Sequence, residues 1–231
     1  AKAFPSVLVE KVADTLREAG FREEVVRWVV SWMEGSSVQL WYEGVMSGRI
    51  DWQSGLPQGS PLSPMLFLVF IAALLRRTTT TTTASFGWID DVNIVAWGKS
   101  VEEAAANLQA VVPQMENWAR QRGATFEAEK TTLTLFAPPN KALPHPLPTV
   151  TLNNTPLPYS PSLTMLGVKF DSSLSYRAHR AVCTAKASTA LPGVALLARL
   201  KAGLPPRQVK ELVEALVMPR LLWCCAVWWK P

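Results

Sequence analysis

Residues 65–75, MLFLVFIAALL, are apolar without interruption, and no other stretch constrains the fold as strongly. A helix built from them is apolar on every face, so it has to lie buried in the middle of a packed domain. The run stops well short of the roughly 18 residues needed to cross a bilayer, and Arg76 and Arg77 end it, so no membrane span is expected. Just upstream, in GLPQGSPLSP, Ser60 can cap a helix starting at Pro61, and Pro64 falls in the first turn, whose N–H groups have no intrahelical acceptor. Covering such a helix takes a domain. The 231 residues, 48% hydrophobic and 18% charged, are enough for one large domain or two small ones, and they exclude a disordered tail or a collagen-like fibre. Three cysteines, two of them adjacent (Cys224 and Cys225), supply neither a disulfide framework nor a Cys-x-x-Cys metal pair, and there is no signal peptide; both point to an intracellular, reducing compartment. The opening AKAFPSV lacks an initiating Met and reads as the middle of something longer, so a fragment is expected.

Periodicity orders the rest. Val9, Val12 and Leu16, then Val25, Val26 and Val29, recur at helical spacing on either side of Gly20, predicting two amphipathic helices. Residues 38–54 mix aromatic and β-branched residues with Gly44 and Gly48, as hairpin strands do. Six threonines at 78–83 read as a low-complexity connector without a function. In SFGWIDDVNIVAW, 85–97, two strand-like runs flank Asp90 and Asp91, which predicts a β-hairpin with paired carboxylates at its tip. Ser100 and Glu103 form a capping box for a helix with the apolar face Leu108, Val111, Val112, Met115, Trp118 and Ala119, kinked at Pro113 and stopped at Gly123. Lys130 precedes an expected strand, TTLTLF, at 131–136. The Pro-rich stretch 138–162 reads as a stiff connector with a hairpin turn at Asn153 and Asn154. Beyond it come a strand through Met165–Phe170, helical material over 176–201 broken near Pro192, a helix over 206–217, and an apolar LLWCCAVWW expected to dock against something.

The net charge of +5 is unevenly spread: residues 151–231 hold ten Lys or Arg against Asp171, Glu211 and Glu214, a net +7, leaving −2 for the remainder. A basic C-terminal part suits a phosphate backbone, although cations that merely solubilise apolar helices give the same pattern. The most informative residues are Asp90 and Asp91. Two carboxylates at a hairpin tip repel each other and invite a divalent cation, and Mg²⁺ takes one or two protein carboxylates with water and phosphate completing its shell. Successive strand side chains point to opposite faces, so both need not ligate directly, and a further carboxylate from elsewhere is expected. Taken alone, an Asp-Asp pair in a turn is an ordinary structural turn.

The ordered set AFPSV at 3–7, GLPQGSPLSPMLF at 55–67, WIDDV at 88–92, GATFEAEKT at 123–131 and LTMLGVKFD at 163–171 resembles the palm of a reverse transcriptase, most closely those of non-LTR, LINE-like retrotransposons. The resemblance implies an α+β fold: an α/β palm with an antiparallel sheet and packed helices, followed by a mostly helical thumb-like segment. It divides the chain into a palm portion at 1–137, the connector at 138–162, a primer-grip-like hairpin at 163–175 and a basic thumb-like region at 176–231. Asp90 and Asp91 match the family's aromatic-x-Asp-Asp motif, with Trp88 at the aromatic place, and are implied as catalytic residues and metal ligands for two Mg²⁺ ions. Phe4 matches the aromatic gate under the incoming sugar, Gln58 and Gly59 the loop against nucleotide and template, and Lys130 a lysine near the triphosphate. Leu166 and Gly167 resemble the hairpin that grips the primer end. Read singly, Phe4 is a core phenylalanine, Gln58–Gly59 a helix-capping turn, Lys130 an exposed lysine beside Glu127 and Glu129, and Leu166–Gly167 a plain hairpin.

One departure matters. The family's first metal-binding aspartate stands a few residues before its aromatic gate, a place upstream of Ala1, and the basic fingers that hold the triphosphate are missing as well. The implied function is RNA-directed DNA polymerisation by the intact parent, with an RNA template, a DNA primer and deoxynucleotides as partners, no membrane, and a nuclear setting for target-primed synthesis. The alternatives are a catalytically inactive retrotransposon remnant that only binds nucleic acid, and a metal-binding structural domain without a nucleic-acid role.

Overall fold

The structure, a computed structural model, describes residues 4, 7–51, 55–137, 144–199 and 203–229. The chain divides into two compact units, one of residues 1–131 with 144–157 and one of residues 132–143 with 158–231.

In the first unit, helices α1 (Val9–Glu18) and α2 (Glu23–Glu34) form where the valine spacing places them, burying Val12 and Leu16 of α1 and Val26, Val29 and Met33 of α2. The buried hydroxyl of Thr15 donates to the Lys11 carbonyl at 2.7 Å, which removes the cost of placing it in the core. Residues 37–51 make two nested antiparallel pairs, β1 (Ser37–Val38) with β4 (Ile50–Asp51) and β2 (Trp41–Tyr42) with β3 (Val45–Met46). Glu43 and Gly44, both at positive φ, supply the inner two-residue turn.

Helix α3 (Leu62–Thr78) starts one residue after the expected Pro61, with the Ser60 hydroxyl accepting from the Leu62 N–H at 3.3 Å. It buries Leu66, Phe67, Phe70, Ile71 and Leu74 within the first unit, where it packs on α1, on strand β5 (Thr83–Trp88) and on helix α4 (Val101–Arg122), but Met65 is 63% and Leu68 52% exposed. The expectation of burial on every face is thereby corrected: the neighbours of α3 cover its other sides and leave this one open. The threonines are also more than a connector. Thr78 and Thr83 are buried, the Thr78 hydroxyl donates to the Leu74 carbonyl at 2.9 Å, and that of Thr83 donates to the Thr78 carbonyl at 2.7 Å, closing the helix and turning the chain into a strand.

Strand β5 pairs antiparallel with β6 (Asp91–Ala96), from Thr83↔Ala96 to Trp88↔Asp91. Helix α4 is capped by Ser100, whose hydroxyl accepts from the Glu103 N–H at 3.2 Å, and runs without interruption through the exposed Pro113. Gly123, at φ 69°, ends it in the left-handed conformation that lets the Ala124 N–H return to the Ala119 carbonyl at 2.9 Å. Residues 131–136 do not form the expected strand; only Leu133 bridges, to Tyr159. Alternating residues become a strand only beside a partner, and here one residue finds one.

The Pro-rich stretch behaves differently from a spacer. Residues 144–157 fold onto α4 through the hairpin β7 (Thr151–Leu152) and β8 (Thr155–Pro156), turning at Asn153 and Asn154, both at positive φ. The Gln109 side chain accepts from the Thr151 N–H and the Glu116 carboxylate from the Asn153 N–H, each at 2.7 Å, and Val150 and Leu152 are buried.

The second unit contains the hairpin β9 (Ser162–Met165) and β10 (Val168–Asp171), followed by α5 (Arg177–Ser188), α6 (Leu191–Arg199), α7 (Pro206–Leu212), a π-helical turn at Val213–Val217, α8 (Met218–Leu221) and α9 (Cys225–Trp228). Ala187, Val194 and Val217 form its small core. Residues 177–199 are, by length and composition alone, apolar enough to cross a membrane. They are broken at Thr189–Ala190, and α5 packs on β10, α6 and α8.

Candidate active site

The hairpin β5–β6 carries Asp90 in its two-residue turn, Ile89–Asp90, and Asp91 at the first position of β6. Ile89 has φ 53°, a conformation a β-branched side chain adopts only when its surroundings impose it, at a cost of about 1–3 kcal/mol. Those surroundings are present: Ile89 and Val92 pack against the core to which α1, α2, α3 and α4 contribute. The apolar neighbours of the two aspartates thus fix the tip, while Asp90 and Asp91 themselves are exposed.

Beside the tip lies an open cleft of about 400 Å³. Its lining includes Asp90 and Asp91 from the tip, an apolar floor of Phe67, Phe70 and Trp118, and Glu127 and Lys130. The floor is a chain of ring contacts, Phe67 to Phe70 at 6.1 Å, Phe70 to Trp118 at 5.3 Å and Trp118 to Phe126 at 6.2 Å. Lys130 ends a short 3₁₀ turn, Ala128–Lys130, and its ammonium meets the Glu127 carboxylate at 2.5 Å. The hydrogen bond from Lys130 is the largest of the causes that lower the Glu127 carboxyl from its ordinary 4.5 to about 2, so the carboxylate is ionised at neutral pH. The cleft therefore gathers the two tip carboxylates and the Glu127–Lys130 pair in one lining, and carboxylates with a cation nearby suit a metal-bound polyphosphate.

Phe4 is half-buried, stacks on Phe67 at 5.0 Å and accepts from the Leu56 N–H through its carbonyl at 2.8 Å, so it reaches the cleft only through Phe67. Gln58 and Gly59 are exposed in the turn before α3, with Gly59 at φ 95°, and lie off the cleft lining. Leu166 and Gly167 form the turn of β9–β10 in the second unit, both at positive φ. In that hairpin the Asp171 carboxyl is drawn down to about 2: desolvation pushes it up, but hydrogen bonds from the Ser175 N–H and the Ser173 and Ser175 hydroxyls outweigh this.

Sequence reasoning missed Arg122. It lines the same cleft almost fully buried, gives its Nη2 to Glu18 of α1, and has no partner for its Nε among the described residues; Trp118 Nε1 is likewise unpartnered. An arginine in the last turn of a helix is ordinarily a solvated partner of the helix dipole, so nothing local marked this one.

As a metal site the tip is partial. Asp90 and Asp91 offer hard oxygen donors, engage in no ion pair among the described residues, and match the one or two carboxylates Mg²⁺ takes from a protein. No cluster of three or more His, Cys, Asp or Glu able to hold a metal occurs among the described residues.

Residues 1–170 match the family model described as reverse transcriptase (RNA-dependent DNA polymerase). The chain is 26% identical over 178 residues, 76% of its length, to a 115 kDa protein in the type-1 retrotransposable element R1DM of Drosophila melanogaster. It is 25% identical over 161 residues, 68% of its length, to the RNA-directed DNA polymerase from mobile element jockey of Drosophila funebris, and 26% over 156 residues, 65% of its length, to that of Drosophila melanogaster. It spans 17% of the length of each of these relatives. With residues 1–170, most of its length, matched by the family model, the chain belongs to the reverse transcriptase (RNA-dependent DNA polymerase) family.

Proposed function

We propose that the chain is the palm, followed by a helical thumb-like region, of a retrotransposon reverse transcriptase that in its intact form extends a DNA primer along an RNA template. In the reaction the primer 3′-oxygen loses its proton and bonds to the α-phosphorus of a deoxynucleoside triphosphate, while the bond from that phosphorus to the leaving pyrophosphate breaks. Asp90 and Asp91 would hold Mg²⁺, which supplies a lowered pKa for the attacking hydroxyl and neutralises charge on the pyrophosphate. Lys130 lines the same cleft and can hold the negative charge that develops on the leaving group. Phe4, seated on Phe67, takes the side of the incoming sugar, and Gln58 and Gly59 that of the nucleotide and template. Leu166 and Gly167 take the primer end. The basic second unit follows the duplex backbone, where cations gain by releasing counterions.

The observation that carries this reading is the pair of exposed carboxylates on a strained, core-anchored turn that opens on the same cleft as Lys130. Primer extension tests it, using the intact protein of which this chain is part. Replacing Asp90 with Ala lowers the rate by about 10³-fold or more if the carboxylate stabilises the transferring phosphoryl group. Equal extension by both proteins overturns the proposal.

A further inference from the structure

In the second unit the hairpin turn that the proposed function gives to the primer end is not self-supporting. Two-residue turns with both central residues at positive φ favour Asn or Gly at the first place, yet here Leu166 occupies it at φ 50°, with Gly167 at φ 78° next in the chain. Leu166 is also exposed, so its own burial does not impose the conformation. Something else has to hold the turn.

Trp223 does so at two points. Its indole lies directly over Gly167: a Cβ added there would stand 3.1 Å from Trp223 Nε1 and 3.7 Å from Cε2, so the close approach depends on glycine. Its backbone is tied to the same strand through His179, buried on α5. The Lys169 N–H of β10 donates to His179 Nδ1 at 3.3 Å, and His179 Nε2 lies 3.3 Å from the Trp223 carbonyl and 3.4 Å from Cys183 Sγ. That carbonyl also accepts from Trp228 Nε1 at 2.7 Å. The chain from Lys169 through His179 to Trp223 and back to Gly167 closes a loop around the turn.

We infer that Trp223 is a positioning residue for the polymerase reaction: by packing on Gly167 and anchoring to β10 through His179, it sets the Leu166–Gly167 turn and hence the primer 3′-end. This rests on the proposed function. It predicts a loss in the chemical step, because a displacement near 1 Å of a reacting group costs up to about 10²-fold in rate without abolishing binding.

The test is single-turnover extension by the intact protein on a preformed primer–template complex. Trp223→Ala is expected to slow nucleotide addition about tenfold or more, with primer–template affinity changed less than about threefold, and Trp223→Phe, which keeps a ring over Gly167, to restore most of the rate. Gly167→Ala provides the check that does not depend on Trp223→Ala folding. Its Cβ would stand 3.1 Å from the indole and, at φ 78°, would be strained besides, so it is expected to shift the turn and slow addition about tenfold or more, again with primer–template affinity changed less than about threefold. Gly167→Ala or Trp223→Ala extending within twofold of the parent, or Trp223→Phe extending no faster than Trp223→Ala, overturns the inference. The underlying polymerase reading fails separately, when Asp90→Ala and the parent extend alike.

Discussion

Removing the carboxylate of Glu18 strands a buried cation, and the effect can be worked from the geometry. The Arg122 side chain is 4% exposed and that of Glu18 53%, so the guanidinium has lost its water while its counterion has not. Breaking a fully buried pair costs about 3–5 kcal/mol, because one charge remains without compensation. Here the exposed half of the pair is screened by solvent and keeps part of its hydration, which weakens the interaction that is lost. Glu18→Ala is therefore expected to cost about 1.5–3 kcal/mol. At about 2–4 °C per kcal/mol for a chain of this size, that lowers the melting temperature by roughly 3–12 °C. Arg122→Met removes the buried charge along with the orphaned Nε–H and leaves Glu18 free to rehydrate, so it is expected to cost less than about 1 kcal/mol. The double variant should then resemble Arg122→Met alone, to within about 0.5 kcal/mol. Urea unfolding of all four proteins reads the cycle. A cost below about 0.5 kcal/mol for Glu18→Ala, or a double variant whose loss equals the sum of the two single ones, would refute the reasoning.

Glu127 supplies a pH dependence. Its carboxyl lies well below the ordinary 4.5, so the Lys130 pair is fully formed above 4.5 and is lost as pH falls toward about 2; carboxyl-carbon NMR of the chain should titrate near 2, and Lys130→Ala should return the midpoint toward 4.5. Asp171 has the same sign, its contribution present above the ordinary 3.8 and lost toward about 2, and Ser175→Ala, which removes one of its donors, should raise its midpoint in the same titration. Gln109→Ala leaves the Thr151 N–H without its acceptor at 2.7 Å; hydrogen exchange of that amide should quicken, and stability should fall by about 1–2 kcal/mol.

What the sequence made legible were features set within a few residues of one another. Valines at helical spacing gave α1 and α2, Ser100 with Glu103 gave the start of α4, Gly123 gave its end, and Asn153–Asn154 gave the β7–β8 turn, since each rule acts over one or two turns of chain. The Asp90–Asp91 tip belongs to the same class: poor strand formers between two strand-forming runs can only be a turn. Outside that range the reading weakened. Strand character at 131–136 depended on a partner that alternation cannot specify. Burial of α3 depended on which sides its neighbours cover, and a uniformly apolar sequence carries no phase from which to tell Met65 and Leu68 from Leu66 and Phe67. The Pro-rich stretch looked like a spacer because its attachments, Gln109 to Thr151 and Glu116 to Asn153, are made by polar side chains on another helix.

The same distinction runs through the cleft. Its catalytic candidates are local and were found by motif, but what holds them is distant in sequence and was not. Arg122 reaches Glu18 across 104 residues, and Ile89 keeps its strained φ because the core packs against it. A turn strained by about 1–3 kcal/mol relaxes unless its supports resist by at least as much. The geometry of Asp90 and Asp91 is thus set by core residues that carry no chemistry. Substitutions in that core, Phe70→Ala for instance, should disturb the carboxylates from a distance, whereas exposed substitutions on β5, nearer in sequence, should not. A motif can locate the reacting groups in this chain; their alignment is a property of the packing beneath them.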